Sequence, residues 1–345
     1  MTGPAATGAR LAVGIDIGGT KVKVCAATFD GRILHVAEAD GPAGRSAPQV
    51  VEDVHACFTA ALEQSSRVLG LEVTAGAVGL VTPGVIGETG IGLTPNNPGM
   101  EVSLPALTIG ARLGVDNVSW ANDVKAAAMA DYQWGELKGA KCGLYVNLGT
   151  GISAGAVIDG IPLMGANGAA LEIGYLIPAS ALRGPGHRSG TAPLEDAVSG
   201  RALSARALEA TGQRLAASAI IASGGDDSDA HPALSQLAEE FMDQLTHAVC
   251  NLAIALDPDI ISIGGGVSSA ADVFIPRLRG ALDEFVPYPP AVTVSPLAND
   301  LSMLGALLLA YRSLHIPVPG IRLPSTTQPC AEDALLPPQP ARTGA

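Results

Sequence analysis

Aromatic residues are scarce: Phe, Trp and Tyr together make up 3% of the 345 residues. Ring stacking therefore cannot dominate the core or ligand recognition. Positive charge is scarce as well, with 20 Lys and Arg against 33 Asp and Glu and a formal charge of −13. Nucleic acid and anionic membranes both select clustered Lys and Arg, so this balance argues against either partner. A polyanionic ligand would have to be held by backbone N–H groups, helix ends and a metal ion. The five cysteines (Cys25, Cys57, Cys142, Cys250 and Cys330) lie far apart, without paired spacing. That pattern reads as free thiols in a reducing compartment and not as a disulfide framework. No basic segment leading into an apolar run opens the chain, so export is not expected. No apolar run reaches the roughly 18–20 residues of a membrane span, and Asp257-Pro258-Asp259 breaks the best of them. These absences point to a soluble, cytoplasmic protein.

What is present is aliphatic and rich in turns. Hydrophobic residues make up 48% of the chain, charged residues 15%, and there are 42 glycines. The core must be built from Ala, Val, Leu and Ile. The length is about twice that of a usual single domain, which predicts two lobes. Leu11 to Ile15, Val22 to Thr28 and Arg32 to Val36 are short β-rich runs joined by Gly-rich and Asp-Gly turns, and they predict an antiparallel meander. Val50 to Leu69 has helical spacing, and Gly76 to Val81 reads as a buried strand ended by Pro83-Gly84. The opening pattern recurs mid-chain, where Gly143 to Leu148 enters a Gly/Thr turn followed by Ala156 to Ile158 and Asp159-Gly160. The recurrence predicts a duplicated fold unit. The clearest helix spans about His231 to Leu256, stopped at Asp257-Pro258. Ile316 onward is rich in proline and without apolar periodicity, which predicts a disordered tail.

Four segments carry chemistry. In Asp16-Ile-Gly-Gly-Thr-Lys21, Gly18 and Gly19 allow close backbone approach to an anion, with N–H groups and the Thr20 hydroxyl as donors. Asp16 beside phosphates suits a hydrated Mg²⁺. Gly149-Thr150-Gly151 precedes a strand and not a helix, which excludes a dinucleotide fingerprint and fits a second phosphate hairpin. Gly264-Gly265-Gly266 follows a buried strand, where bare backbone can lie against a nucleoside or simply make a tight strand–helix turn. Asn122-Asp123 opens a helix-prone run; the pair reads as an N-cap, and the same geometry aims a carboxylate outward as a base. Glu172 and Glu195 are carboxylates beside apolar residues, equally compatible with a solvated surface.

Taken in order, these segments resemble the ROK family of sugar kinases and related repressors, in the actin-like ATPase superfamily. The resemblance covers about residues 11 to 312 and includes Pro83-Gly84, Pro95-Asn96, Glu172-Ile-Gly174 and Gly305-Ala306. It implies an α/β, actin-like (ribonuclease H-like) kinase fold of two lobes, each a mixed five-stranded sheet flanked by helices. The expected small lobe is 10–122 plus 301–316, the large lobe 123–300, and the Pro-rich tail 317–345. It further implies ATP and Mg²⁺ as cofactors, bound in the cleft between lobes at Asp16, Gly18, Gly19, Thr20, Lys21, Gly149, Thr150, Gly151, Gly264, Gly265 and Gly266. Asp123 is then the general base, and Asn96, Asn122, Asp123, Glu172, Tyr175 and Glu195 contact the substrate. The family's usual assembly, a homodimer, is expected here too.

The departures from the family pattern are informative. Its members usually follow Glu-Ile-Gly with His and a cysteine-rich stretch that binds structural zinc. Here Tyr175 occupies the His position and Ala181 to Leu194 holds no cysteine, so no zinc is expected. Because the family His touches the sugar, Tyr175 opens the acceptor to a hexose, an amino sugar or a seven-carbon cyclitol. Three alternatives stand beside a general sugar kinase: a cyclitol kinase of secondary metabolism, a non-catalytic sugar sensor, and a polyphosphate-dependent glucokinase. Only Met1 to Gly14 precede the first motif, which leaves no room for a helix-turn-helix. No basic track suited to polyphosphate is visible.

Overall fold

A computed structural model describes residues 8–41, 45–87, 90–92, 106–178, 184–224 and 231–323. The chain divides into two compact units, Met1–Ala130 with Ser302–Ala345, and Asp131–Leu301.

The first unit is built on β1 (Ala9–Ile17), β2 (Lys21–Ala27), β3 (Ile33–Asp40), α1 (Ala47–Leu69), β4 (Val73–Thr82), the small hairpin β5 (Val85–Gly87) and β6 (Gly90–Gly92), α2 (Ala106–Leu113), β7 (Val118–Asn122) and the start of α3 (Asp123–Trp134). Its sheet has the order β3-β2-β1-β4-β7. The β1–β2 and β2–β3 pairs are antiparallel, and the β1–β4 and β4–β7 pairs parallel. Leu11, Val13, Ile15 and Ile17 on β1 are fully buried, as a central strand requires. Helix α1 opens with Gln49 Oε1 accepting from Ser46 N at 2.8 Å, a reciprocal cap. It ends at Gly70, whose φ of 67° suits glycine and whose N–H reaches Ser66 O.

The second unit repeats this plan. It contains β8 (Cys142–Leu148), β9 (Ile152–Ile158), β10 (Ile161–Pro162), α4 (Glu195–Val198), α5 (Gly200–Thr211), α6 (Ala217–Ala222), α7 (Pro232–Leu256), β11 (Ile260–Gly264), α8 (Ala271–Phe285) and β12 (Ala291–Val294). The order β10-β9-β8-β11-β12 again joins two antiparallel pairs to two parallel ones. The mid-chain recurrence in the sequence is therefore a repeated topology. The apolar face of α7, with Leu237, Phe241, Leu245, Val249 and Leu252, is buried in this unit's core. The helix stops at Asp257, which adopts φ 49° ahead of Pro258.

Helix α9 (Leu301–Ser313) belongs, apart from its first residue, to the first unit. It lies close against the sheet because glycines leave space: a Cβ on Gly14 would meet Leu307 N at 2.6 Å, and one on Gly79 would strike Ala306. Gly305 in turn lets α9 approach α3 at Ala126, where a Cβ would meet the backbone at 2.6 Å. The chain then departs from the expected disordered tail. Arg322 forms a parallel bridge with Arg32, donating its N–H to Gly31 O at 2.9 Å and accepting from Ile33 N at 3.1 Å. Its guanidinium pairs with Asp30, and Ile321 is buried. Residues 317–323 are thus ordered by pairing against the β2–β3 turn. The remaining tail, 324–345, lies outside the described residues.

Candidate active site

In the first unit the parallel strands β1, β4 and β7 bring their carboxyl ends side by side, the usual ligand edge of such sheets. The register pairs Asp16 with Val81 and Thr82 with Asn122, and Asp123 follows directly as the first residue of α3. Asp16 is half-buried, and its carboxyl is pushed up to about 7. Burial is the main cause; the Asp123 carboxylate adds to it, and Lys23 opposes it. Lys23 stands directly across the β1–β2 ladder from Asp16, so the two share a face. It also lies 3.7 Å from Glu38 on β3.

The β1–β2 turn holds Gly18, Gly19 and Thr20, buttressed by Gly41 N donating to Thr20 O at 2.8 Å. A Cβ on Gly18 would stand 3.1 Å from Lys21 O. Lys21 itself, exposed at the start of β2, donates its ammonium to Glu38 Oε2 at 2.8 Å, and Glu38 raises its pKa.

Of the two roles that local sequence left open, the cap falls to Asn122. Asn122 Oδ1 accepts from Lys125 N at 3.0 Å and its Nδ2 donates to Gly84 O at 2.9 Å. This buried amide caps α3 and ties it to the Pro83-Gly84 turn, leaving one N–H and one lone pair for a ligand. Asp123 Oδ1 accepts from Val124 N at 2.8 Å, which turns the carboxylate toward the start of the helix. Asn96 lies outside the described residues. Thr82 was not anticipated: its hydroxyl is buried at this edge without a hydrogen-bond partner.

The Asp16 shift has a testable consequence for the ligand-free protein. A carboxyl with a folded pKa near 7 instead of 3.8 takes up a proton on folding. Its contribution to stability is complete below about pH 4 and is lost as pH rises through the folded value. Asp16→Asn should therefore match the parent melting temperature in acid and exceed it increasingly toward pH 8. Parallel curves for the two proteins across that range would contradict the assignment.

In the second unit, β8, β11 and β12 likewise end together. Gly149-Thr150-Gly151 joins β8 to β9, closed by Gly149 N donating to Gly151 O at 3.0 Å. The start of α5 grips this turn, with Gly200 N on Gly149 O at 2.9 Å and Arg201 N on Thr150 O at 3.2 Å. Glu195 is 6% exposed; its Oε2 accepts from Ile152 N at 3.3 Å and its Oε1 lies 3.4 Å from Arg201 Nη2. Gly174 packs against Glu195, and Leu194 N donates to Gly174 O at 3.1 Å, so the Glu172–Tyr175 segment is fastened to the same cluster. Glu172 and Tyr175 are half-buried, and the Tyr175 ring meets His187 edge-on at 6.4 Å.

The three glycines after β11 differ in their reasons. A Cβ on Gly264 would strike Tyr145, and one on Gly265, at φ 86°, would meet Asn147 Oδ1 at 2.6 Å. These two are demanded by packing. A Cβ on Gly266 would meet nothing within 4 Å. Instead Gly266 opens onto a cavity of about 300 Å³ lined by Ser268, Ser269, Ser295, Asn299 and Asp300.

A sequence profile of the ROK family matches residues 12–313. The chain belongs to the ROK family. Among its relatives, the bifunctional enzyme NanE/NanK of Brucella melitensis is 33% identical over 232 residues, 67% of this chain and 42% of that protein. The present chain thus spans less than half of that relative. An N-acetyl-D-glucosamine kinase of Pectobacterium atrosepticum is 29% identical over 273 residues, covering 76% of this chain and 85% of the kinase. Among solved structures, a ROK hexokinase from Thermus thermophilus superposes with a TM-score of 0.67 at 27% identity, covering 88% of this chain and 99% of that one. The two mixed five-stranded sheets flanked by helices are therefore the actin-like architecture of ROK kinases. Among the described residues no group of three or more His, Cys, Asp or Glu side chains is placed to hold a metal ion, and no helix is long and apolar enough to cross a membrane.

Arg201 and Lys23 are the charged residues that motif reading missed. Lys23 could have been found by carrying the strand register across the Gly18–Thr20 turn to Asp16. Arg201 needed the contact between distant segments.

Proposed function

We propose that this ROK protein is an ATP-dependent kinase that phosphorylates a hydroxyl of a hexose-like acceptor, with Asp123 as general base. The observation that carries the reading is Asp123 at the first residue of α3, electrostatically coupled to Asp16 at the carboxyl edge of the sheet. The relatives' names, N-acetylglucosamine kinase and hexokinase, support the same class. A sugar hydroxyl is a weak nucleophile, and a carboxylate within hydrogen-bond reach takes its proton as the oxygen attacks the γ-phosphorus. The bond from that phosphorus to the β,γ-bridging oxygen breaks, and ADP leaves.

Asp16 fits a hydrated divalent cation. Its carboxylate is a hard oxygen donor, and the repulsion it feels from Asp123 is an imbalance a cation relieves. Mg²⁺ commonly uses one or two carboxylates, with waters and substrate phosphates completing its shell. When bound it would neutralise charge on the transferring phosphoryl group. In each unit a glycine turn, Gly18–Thr20 in the first and Gly149–Gly151 in the second, would offer backbone N–H groups to phosphate oxygens, and Gly266 with its adjoining cavity would admit a nucleoside.

On the acceptor side, Glu172, Tyr175 and Glu195 form the candidate contacts. Tyr175, packed against His187, presents a phenol where kinases of this family carry an imidazole. That difference favours a second, narrower reading, a hexose-like ring without an anomeric centre, such as a seven-carbon cyclitol. ATP turnover measured on glucose, N-acetylglucosamine, N-acetylmannosamine and a set of cyclitols tests both. Turnover on any of these acceptors supports the kinase reading, efficient glucose turnover removes the cyclitol one, and ATP-independent behaviour on all of them sinks the proposal.

A further inference from the structure

The Gly149–Thr150–Gly151 turn is short of free donors. Of the four N–H groups from Gly149 to Ile152, that of Gly149 is committed to Gly151 O and that of Ile152 to Glu195. A triphosphate seated here would need a further positive group, and the chain carries a formal charge of −13. Arg201 is placed to be that group. Its N–H holds Thr150 O at 3.2 Å, so its Cα is fixed against the turn. Its guanidinium rests on Glu195 through one contact of 3.4 Å, using one of five N–H donors. The Arg201 side chain is 56% exposed and that of Glu195 8%. An arginine serving only to neutralise Glu195 would be buried with it; this one keeps an open face with donors to spare.

We propose that Arg201 is a catalytic residue of the nucleotide site, its guanidinium binding an oxygen of the triphosphate chain at the Gly149–Gly151 turn while Glu195 orients it. The assignment rests on the kinase reading and adds a side-chain cation to a turn otherwise built from backbone. Arginine suits the task because its planar fork matches phosphate oxygens.

The experiment is calorimetric titration of the full chain, as parent, Arg201→Gln and Arg201→Lys, with a non-hydrolysable ATP analogue and with adenosine. Both substitutions keep the backbone bonds to the turn, so folding is preserved. Arg201→Gln should weaken the analogue roughly ten- to a hundredfold, the range for a hydrogen bond to a charged group. Adenosine affinity should stay unchanged, and Arg201→Lys should recover part of the loss. Equal analogue affinity in parent and Arg201→Gln overturns the assignment alone, as does a parallel loss for adenosine and analogue, which marks a structural role. A defect confined to acceptor binding also overturns it, because Arg201 would then act only through Glu195. Failure of the parent to bind the analogue at all would overturn the kinase reading and this one together.

Discussion

Asp123→Asn should lower kcat by roughly 10²- to 10⁴-fold, the range general-base catalysis supplies, while leaving the melting temperature near that of the parent. The amide oxygen can still accept from Val124 N, the 2.8 Å bond that orients the native carboxylate, and Asn122 still caps α3. The fold should therefore survive. What the amide cannot do is take a proton from an acceptor hydroxyl at neutral pH. The substitution also removes the carboxylate that helps hold Asp16 high, so the Asp16 pKa should fall toward its ordinary value. Nucleotide affinity should be kept or improved, because one negative charge leaves the edge where phosphates are to sit. Kinetics and nucleotide titration on the same preparation separate these effects. Turnover within tenfold of the parent would remove Asp123 as the base; loss of nucleotide binding along with turnover would recast it as a structural carboxylate.

The parts of the fold that were legible in sequence are those fixed by neighbours along the chain. The meander from Leu11 to Val36, the long helix ending at Asp257-Pro258 and the mid-chain repeat follow from periodicity and turn chemistry, which are local. The Asn122-Asp123 pair shows where local reasoning stops. A cap and a base look alike in sequence, and only the bonds from Asn122 to Lys125 N and Gly84 O assign the cap to that residue. Gly264 to Gly266 are similar: packing against Tyr145 and Asn147 accounts for two of them, and those partners come from β8, more than a hundred residues earlier. Arg201 was invisible because its importance lies in a hydrogen bond to Thr150, fifty residues away. The pairing of Arg322 with the β2–β3 turn is equally hidden, because it joins segments far apart in the chain.

Asp131→Ala should be among the most destabilising single substitutions in the second unit. Asp131 lies two turns beyond Asp123 on α3 and is fully buried. Its Oδ1 accepts from Ser295 Oγ at 2.9 Å and from Glu136 N at 3.2 Å. Burial raises its pKa despite these donors, so desolvation outweighs them in setting the proton's affinity. Gly135 is required beside it, since a Cβ there would collide with Oδ1. Alanine leaves a hydroxyl and a backbone N–H buried without their acceptor and opens a void, a combination that costs about 3–5 kcal/mol. Asparagine keeps the shape and an acceptor and should lose much less. Denaturant midpoints at constant m-value measure both. The damage should also reach the proposed nucleotide edge: Ser295 Oγ accepts from Leu297 N at 3.2 Å, and Ala298 O accepts from Gly265 N at 3.3 Å, so the 295–298 turn and the glycine turn share one support. Asp131→Ala should therefore weaken nucleotide binding as well as stability, and Asp131→Asn should restore both. A loss below about 1 kcal/mol, the scale of a single ordinary hydrogen bond, would show that Ser295 and Glu136 find other partners and that Asp131 is not the support.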